Sequence, residues 1–155
     1  MTLNIDNNKV IFSRTFKAPI DKVFDAYTTK SQFEQWFHPP GATTEVYEFD
    51  IVKGGHAFYA IKAPGMTSYT VAEYNKVQRP YLLEYIDSFA TAQGDKDTKM
   101  PSMKVILEFD KIDNHTTTVT STSVFPTKEA AQQVVDMGVE KGMTQTLNQL
   151  EQLLK

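Results

Sequence analysis

The sequence predicts an α+β protein: an antiparallel sheet, interrupted near its start by two short helices and followed by one long C-terminal helix. Three observations predict it. Between Thr43 and Phe125, β-branched and aromatic residues gather in short segments broken by turn signals such as "KGG", "APG" and "DNH". Connections that short join antiparallel neighbours, because parallel strands need long crossovers. Between Pro19 and Phe37 the apolar residues take helical spacing, and they do so again over a longer run from Thr127 to Lys155. The 155 residues suit one domain, 1–155, with length enough for a single buried core.

The first expected strand is "KVIFSRTF" (Lys9 to Phe16), β-branched and aromatic, stopped by "KAP". Pro19 fits the first turn of a helix, "PIDKVFDAYTT", where its missing N–H is unpaired in any case. Val23, Phe24 and Tyr27 give that helix one apolar side. The next helix, "SQFEQWF", has Ser31 as N-cap and Glu34 three residues on, the pattern of a capping box. Pro39 drives His38 out of helical geometry and Pro40 cannot continue a helix, so "FEQWFHPPG" turns a corner. Six strands follow: "TTEVYEFDI", "HAFYAIKA", "SYTVAEYNKV", "YLLEYIDSF", "SMKVILEF" and "TTTVTSTSVF". The connection from Ala90 to Pro101 is the longest and most polar, and motion is expected there.

Thr127 caps the last helix, with Glu129 and Ala130 in its first turn. At 100° per residue, one broad face collects Ala131, Val135, Val139, Met143, Leu150, Leu153 and Leu154. Gly138 and Gly142 fall four apart on that face, each costing up to about 1 kcal/mol against Ala inside a helix. Gln132 and Asp136 project the same way. A helix that accepts such costs is expected to leave space for something.

Composition excludes several classes. A formal net charge of −3, from 16 basic and 19 acidic residues without a basic cluster, argues against nucleic acid. The absence of cysteine removes disulfides and thiolate chemistry and fits a reducing compartment. No signal peptide and no apolar stretch near the roughly 20 residues of a membrane span is read, so a cytoplasmic protein is expected. The three histidines, His38, His56 and His115, are far apart without ligand spacing, which favours structural roles over a metal site. No GxSxG, Walker loop or GxGxxG occurs, and "KGG" is too short to cradle a phosphate. Carboxylates such as Asp50, Glu73, Glu84 and Glu108 cannot be paired from sequence alone. Ten Phe and seven Tyr can be core, yet inward tyrosines often mark a partly polar cavity.

The stretch "SRTFKAPIDKVFDAYTTKSQFEQWFHPPG" resembles the opening of SRPBCC (START-like) proteins, most closely those similar to the activator of heat-shock-protein-90 ATPase. Arg14, Phe16, Ala18 and Pro19 match its strand end; Val23, Phe24 and Ala26 match its first helix. Phe33, Trp36, Phe37, Pro39 and Gly41 match its corner. Further on, Asp50, Gly54 and Gly55 resemble the family's glycine-pair turn, and Gly138, Gly142, Leu147 and Leu150 its C-terminal helix. The likeness runs from about Val10 to Leu154. Two positions depart: Val52 and Lys53 stand where an arginine often precedes the glycine pair, and Met143 where a tryptophan is common.

The resemblance implies a helix-grip fold, a curved antiparallel sheet wrapped around the long C-terminal helix, with an apolar cavity between them. It implies no shared catalytic residue. Expected ligand contacts are Trp36, with Ala57, Tyr59 and Ile61 on one side of "HAFYAIKA", and Tyr85 on a later strand. From the helix they are Gln132, Val135, Asp136, Val139 and Met143. The expected function is non-enzymatic binding of a small hydrophobic or aromatic molecule, with no cofactor or metal, as a monomer or homodimer. The alternatives are a co-chaperone-like module that stimulates a chaperone ATPase, and a cyclase- or hydrolase-type enzyme using a carboxylate or tyrosine of the cavity.

Overall fold

A computed structural model describes residues 2–99 and 101–155. Met1 and Met100, the latter within the 90–101 connection, lie outside the described residues. Eight strands form one antiparallel sheet: β1 (Thr2–Asp6), β2 (Lys9–Phe16), β3 (Thr43–Phe49), β4 (His56–Ala63), β5 (Met66–Gln78), β6 (Leu82–Ala90), β7 (Met103–Asp113) and β8 (Thr116–Val124). Their order across the sheet is β1-β2-β8-β7-β6-β5-β4-β3. Helices α1 (Ile20–Thr28) and α2 (Lys30–Trp36) carry the chain from β2 to the far edge, and α3 (Lys128–Asp136) and α4 (Val139–Leu153) follow β8. This is the helix-grip fold.

β1 is the one strand beyond the seven expected. It pairs with β2 through a tight turn in which Asn7 takes φ 56°, a left-handed conformation that Asn tolerates. Asn8 Nδ2 donates to the Phe125 carbonyl at 2.9 Å and ties that turn to the end of β8. "IDNNKV" carries this turn signal, which the short polar lead-in masks.

Alternation sorts the sheet. On β2, Val10, Phe12 and Phe16 are buried on the concave side; on β7, Val105, Leu107 and Phe109; on β8, Thr117 and Val119. The core joins these to Val23, Phe24 and Tyr27 of α1, Phe33 and Trp36 of α2, and Leu147, Leu150 and Leu154 at the C-terminal end. The glycine-pair turn is stapled to β5, since Gly54 N–H donates to the Tyr74 carbonyl and Tyr74 N–H to the Gly55 carbonyl. A Cβ on Gly55 would lie 2.2 Å from the Asp50 carbonyl oxygen, so only glycine fits there.

The corner is structural. Trp36 is fully buried, its indole N–H donating to the Ala26 carbonyl at 2.9 Å and its ring edge-on to Tyr27 at 4.8 Å. His38 is half-buried, with Nδ1 3.2 Å from the Pro39 carbonyl oxygen. Its own carbonyl accepts from Gln149 of α4, which also donates to the Trp36 carbonyl at 3.1 Å.

Three helix expectations are corrected. Pro19 is the N-cap of α1 rather than a residue of its first turn. The capping box does not form, because α2 starts at Lys30 behind an uncapped Thr29. Glu34 instead accepts the Val46 N–H of β3 at 2.9 Å, so tertiary structure takes the side chain that a local cap would have used. The C-terminal helix is two helices. Thr127 caps the first through Ala130 N–H at 3.0 Å, as expected, but Gly138 has φ 89° and breaks the run. That left-handed step is the usual glycine termination of a helix.

Candidate functional site

Cross-strand register builds a floor from side chains on the concave face. Tyr85 stands opposite Val105, which stands opposite Ser123. In the next row Leu107 faces Ser121, and Ser121 faces Phe12 across the other ladder. Arg14 pairs with Val119, and Asp87 with Met103. Over this floor lie Tyr27 of α1, Trp36 and Phe37 at the corner, and Met143 and Leu147 of α4. Between them is a partly open pocket of about 120 Å³.

Most of the lining is aromatic or aliphatic, and four residues make the polar exception: Arg14, Asp87, Ser121 and Ser123. Arg14 spans from β2 to α4, where Nη1 donates to the Thr144 carbonyl at 3.4 Å and Nη2 to Glu151 at 3.3 Å. Its guanidinium carbon lies 5.5 Å from the Phe16 ring centre. Arg14 also borders an open polar groove with Thr2, Ser13, Thr15, Thr144 and Asn148, so the groove and the pocket share this residue.

Asp87 differs from the other three. Its Oδ1 is shielded from solvent and has no hydrogen-bond partner among the described residues. Burial pushes its carboxyl up to about 7. Tyr59, Tyr74 and Tyr85 stand close enough to sense it: burial raises each phenol first, and the Asp87 charge raises it further. Burial likewise raises Tyr27, against a smaller opposing pull from Arg14.

Of the residues expected to meet a ligand, the cavity brings together Trp36, Tyr85 and Met143. Ala57, Tyr59 and Ile61 do share one face of β4, but they belong to the packed core beside the cavity. Val135 and Val139 pack on a separate cluster around Val10, Phe12 and Ala131. Gln132 and Asp136 are exposed and bonded to each other, Nε2 to Oδ1 at 2.9 Å, which corrects their inward placement. Gly138 and Gly142 are also exposed, with open space where a Cβ would point. The cause is common to all four: the left-handed step at Gly138 resets the helical phase that a continuous helix would carry through.

Sequence reasoning missed Arg14, Asp87, Ser121 and Ser123 as lining. A signal for Asp87 existed: it lies two residues beyond Tyr85 in "YLLEYIDSF", on the same side of a pleated strand. The polar residue type hid it.

The fold defines the class, a START-like helix-grip protein. The sequence pattern of the family described as "Activator of Hsp90 ATPase homolog 1-like protein" matches residues 17–155, and the chain belongs to that family. A Staphylococcus epidermidis protein solved by solution NMR is 61% identical, with TM-score 0.92 over 99% of this chain and 93% of that one. The crystal structure of protein Ms6760 from Mycobacterium smegmatis is 26% identical, with TM-score 0.89 over 100% of this chain and 96% of that one. An Arthrobacter aurescens protein at 23% identity, TM-score 0.88 over 99% and 90%, shares the fold. Among curated proteins no match was found. Family and fold together support ligand binding. Among the described residues, no helix is long and apolar enough to cross a membrane, and no cluster of three or more acidic or histidine side chains could hold a metal.

Proposed function

We propose that the protein binds one small, mainly apolar molecule between the sheet and α4, without transforming it. The observation that carries this is the partly open pocket of about 120 Å³ with aromatic and aliphatic walls and a few polar groups, the composition typical of small-molecule sites. Its size narrows the occupant. It is well below the roughly 300–1,000 Å³ of drug-sized pockets, and close to the ~150 Å³ apolar cavity that takes up benzene in another protein. One ring or a short chain fits; a fused aromatic system requires α4 to move outward.

The test is an NMR titration with single-ring aromatics and short-chain alcohols, read at the methyls of Val105, Leu107, Val119, Met143 and Leu147. Saturable shifts confined to these groups support the proposal; their absence with every probe at millimolar concentration removes it. A second reading, stimulation of a chaperone ATPase, is supported by the family's description. Failure to raise the ATPase rate of a purified heat-shock-protein-90 chaperone removes that one.

A further inference from the structure

We infer that Asp87 is the specificity determinant of the cavity, and that the occupant is a single-ring aromatic molecule carrying a hydrogen-bond donor, such as a phenol or an arylamine. This rests on the cavity being the binding site, as proposed above, and goes beyond it by fixing the chemistry of the ligand.

Three observations converge. Asp87 lines the space together with Tyr85 and Met103. Its Oδ1 is out of reach of solvent and unmatched by any donor among the described residues. Buried acceptors are nearly always satisfied, so a native acceptor left open by the protein is one whose partner comes from whatever fills the space. The surroundings select the rest of the molecule. Tyr74 and Tyr85 lie with ring centres 4.9 Å apart and planes tilted by 38° beside the carboxyl, and Tyr27, Trp36 and Phe37 contribute further aromatic lining. Flat aromatic walls at this volume favour one ring, and the carboxyl orients it with the donor toward β6. Arg14 already has Glu151 and the Thr144 carbonyl as partners, so it does not compete for Asp87.

Phenol and toluene test this because they differ in little but hydroxyl against methyl. An apolar cavity without a working acceptor prefers toluene, the less soluble of the two. With Asp87 ionised and acting as acceptor, above about pH 7, the wild-type protein binds phenol about tenfold more tightly, the gain expected of a hydrogen bond to a charged group. The carbon-13 shift of the Asp87 carboxyl then moves with phenol and not with toluene. In Asp87→Leu the order reverses, and in Asp87→Asn, which keeps an acceptor oxygen, phenol stays ahead. If the leucine variant does not fold, the wild-type order and the carboxyl shift decide. Toluene binding as well as or better than phenol to the wild type overturns the role of Asp87 while the cavity stands. If neither shifts any cavity resonance, the binding site itself is wrong and this inference falls with it.

Discussion

Two residues of the corner should respond to truncation by very different amounts. Trp36→Ala is expected to cost roughly 3–5 kcal/mol in denaturant melts, since it empties a fully buried site and leaves the Ala26 carbonyl without its donor. His38→Ala should change stability by less than about 1 kcal/mol, because α4 holds this residue by its backbone carbonyl, which the substitution keeps. Asp87 gives a pH signature. Its carboxyl moves from 3.8 to about 7 on burial, so the folded chain holds that proton more tightly than the unfolded one. The stabilising effect is complete below about 4 and lost as pH rises through about 7. The facing phenols of Tyr59, Tyr74 and Tyr85 are pushed upward and stay neutral throughout that range. Thermal melts from pH 4 to 8 should therefore show Asp87→Asn losing less stability than wild type over this window. Parallel curves for the two proteins would remove the shift. The corner was legible in sequence because two prolines and a tryptophan each permit few conformations. Asp87 was not, because hydropathy marks an acidic residue as exposed and only the alternation begun at Tyr85 points it inward.

At the level of elements, the two glycines of the last segment separate. Gly138→Ala forces a side chain into a left-handed conformation and should destabilise by about 1–2 kcal/mol. Gly142→Ala adds a methyl to an exposed position inside α4 with nothing within 4 Å and should stabilise by up to about 1 kcal/mol. Equal effects in urea melts would contradict the break between α3 and α4. Periodicity located the helical segment, as one helix, and most of its apolar face. It could not locate the break, since a glycine within a helical pattern looks the same whether it bends the chain or is tolerated. The Ser31–Glu34 cap failed for a related reason: a local pattern cannot show that Glu34 has a better use in holding β3. The 90–101 connection, expected to move, is tied down along part of its length. Lys96 pairs with Glu73 at 2.7 Å, Asp97 N–H donates to the Phe89 carbonyl at 2.7 Å, and Gly94 lies over Phe58.

For the whole molecule, the cavity is the gap that remains where α4 bridges the sheet, and filling it should be tolerated. Val105→Phe, on the floor between Tyr85 and Ser123, should shift the melting temperature by only a few degrees while abolishing phenol binding. A solid core would instead lose about 1–3 kcal/mol to overpacking. The antiparallel order and the closing helix were readable from turn lengths and period, whereas the size of the gap depends on how side chains from seven elements meet. The strand order also governs how the chain is made. β2 is made early and can pair at once with β1, yet Lys9 must wait for Val124 before β8, its second neighbour in the sheet, exists, and α4 follows later still. Until then the concave face lacks Met143, Leu147 and Leu150, so the nascent chain leaves part of that apolar surface uncovered. Ribosome-stalled chains ending before α4 should be cut readily by protease, and the released chain that includes α4 should resist it.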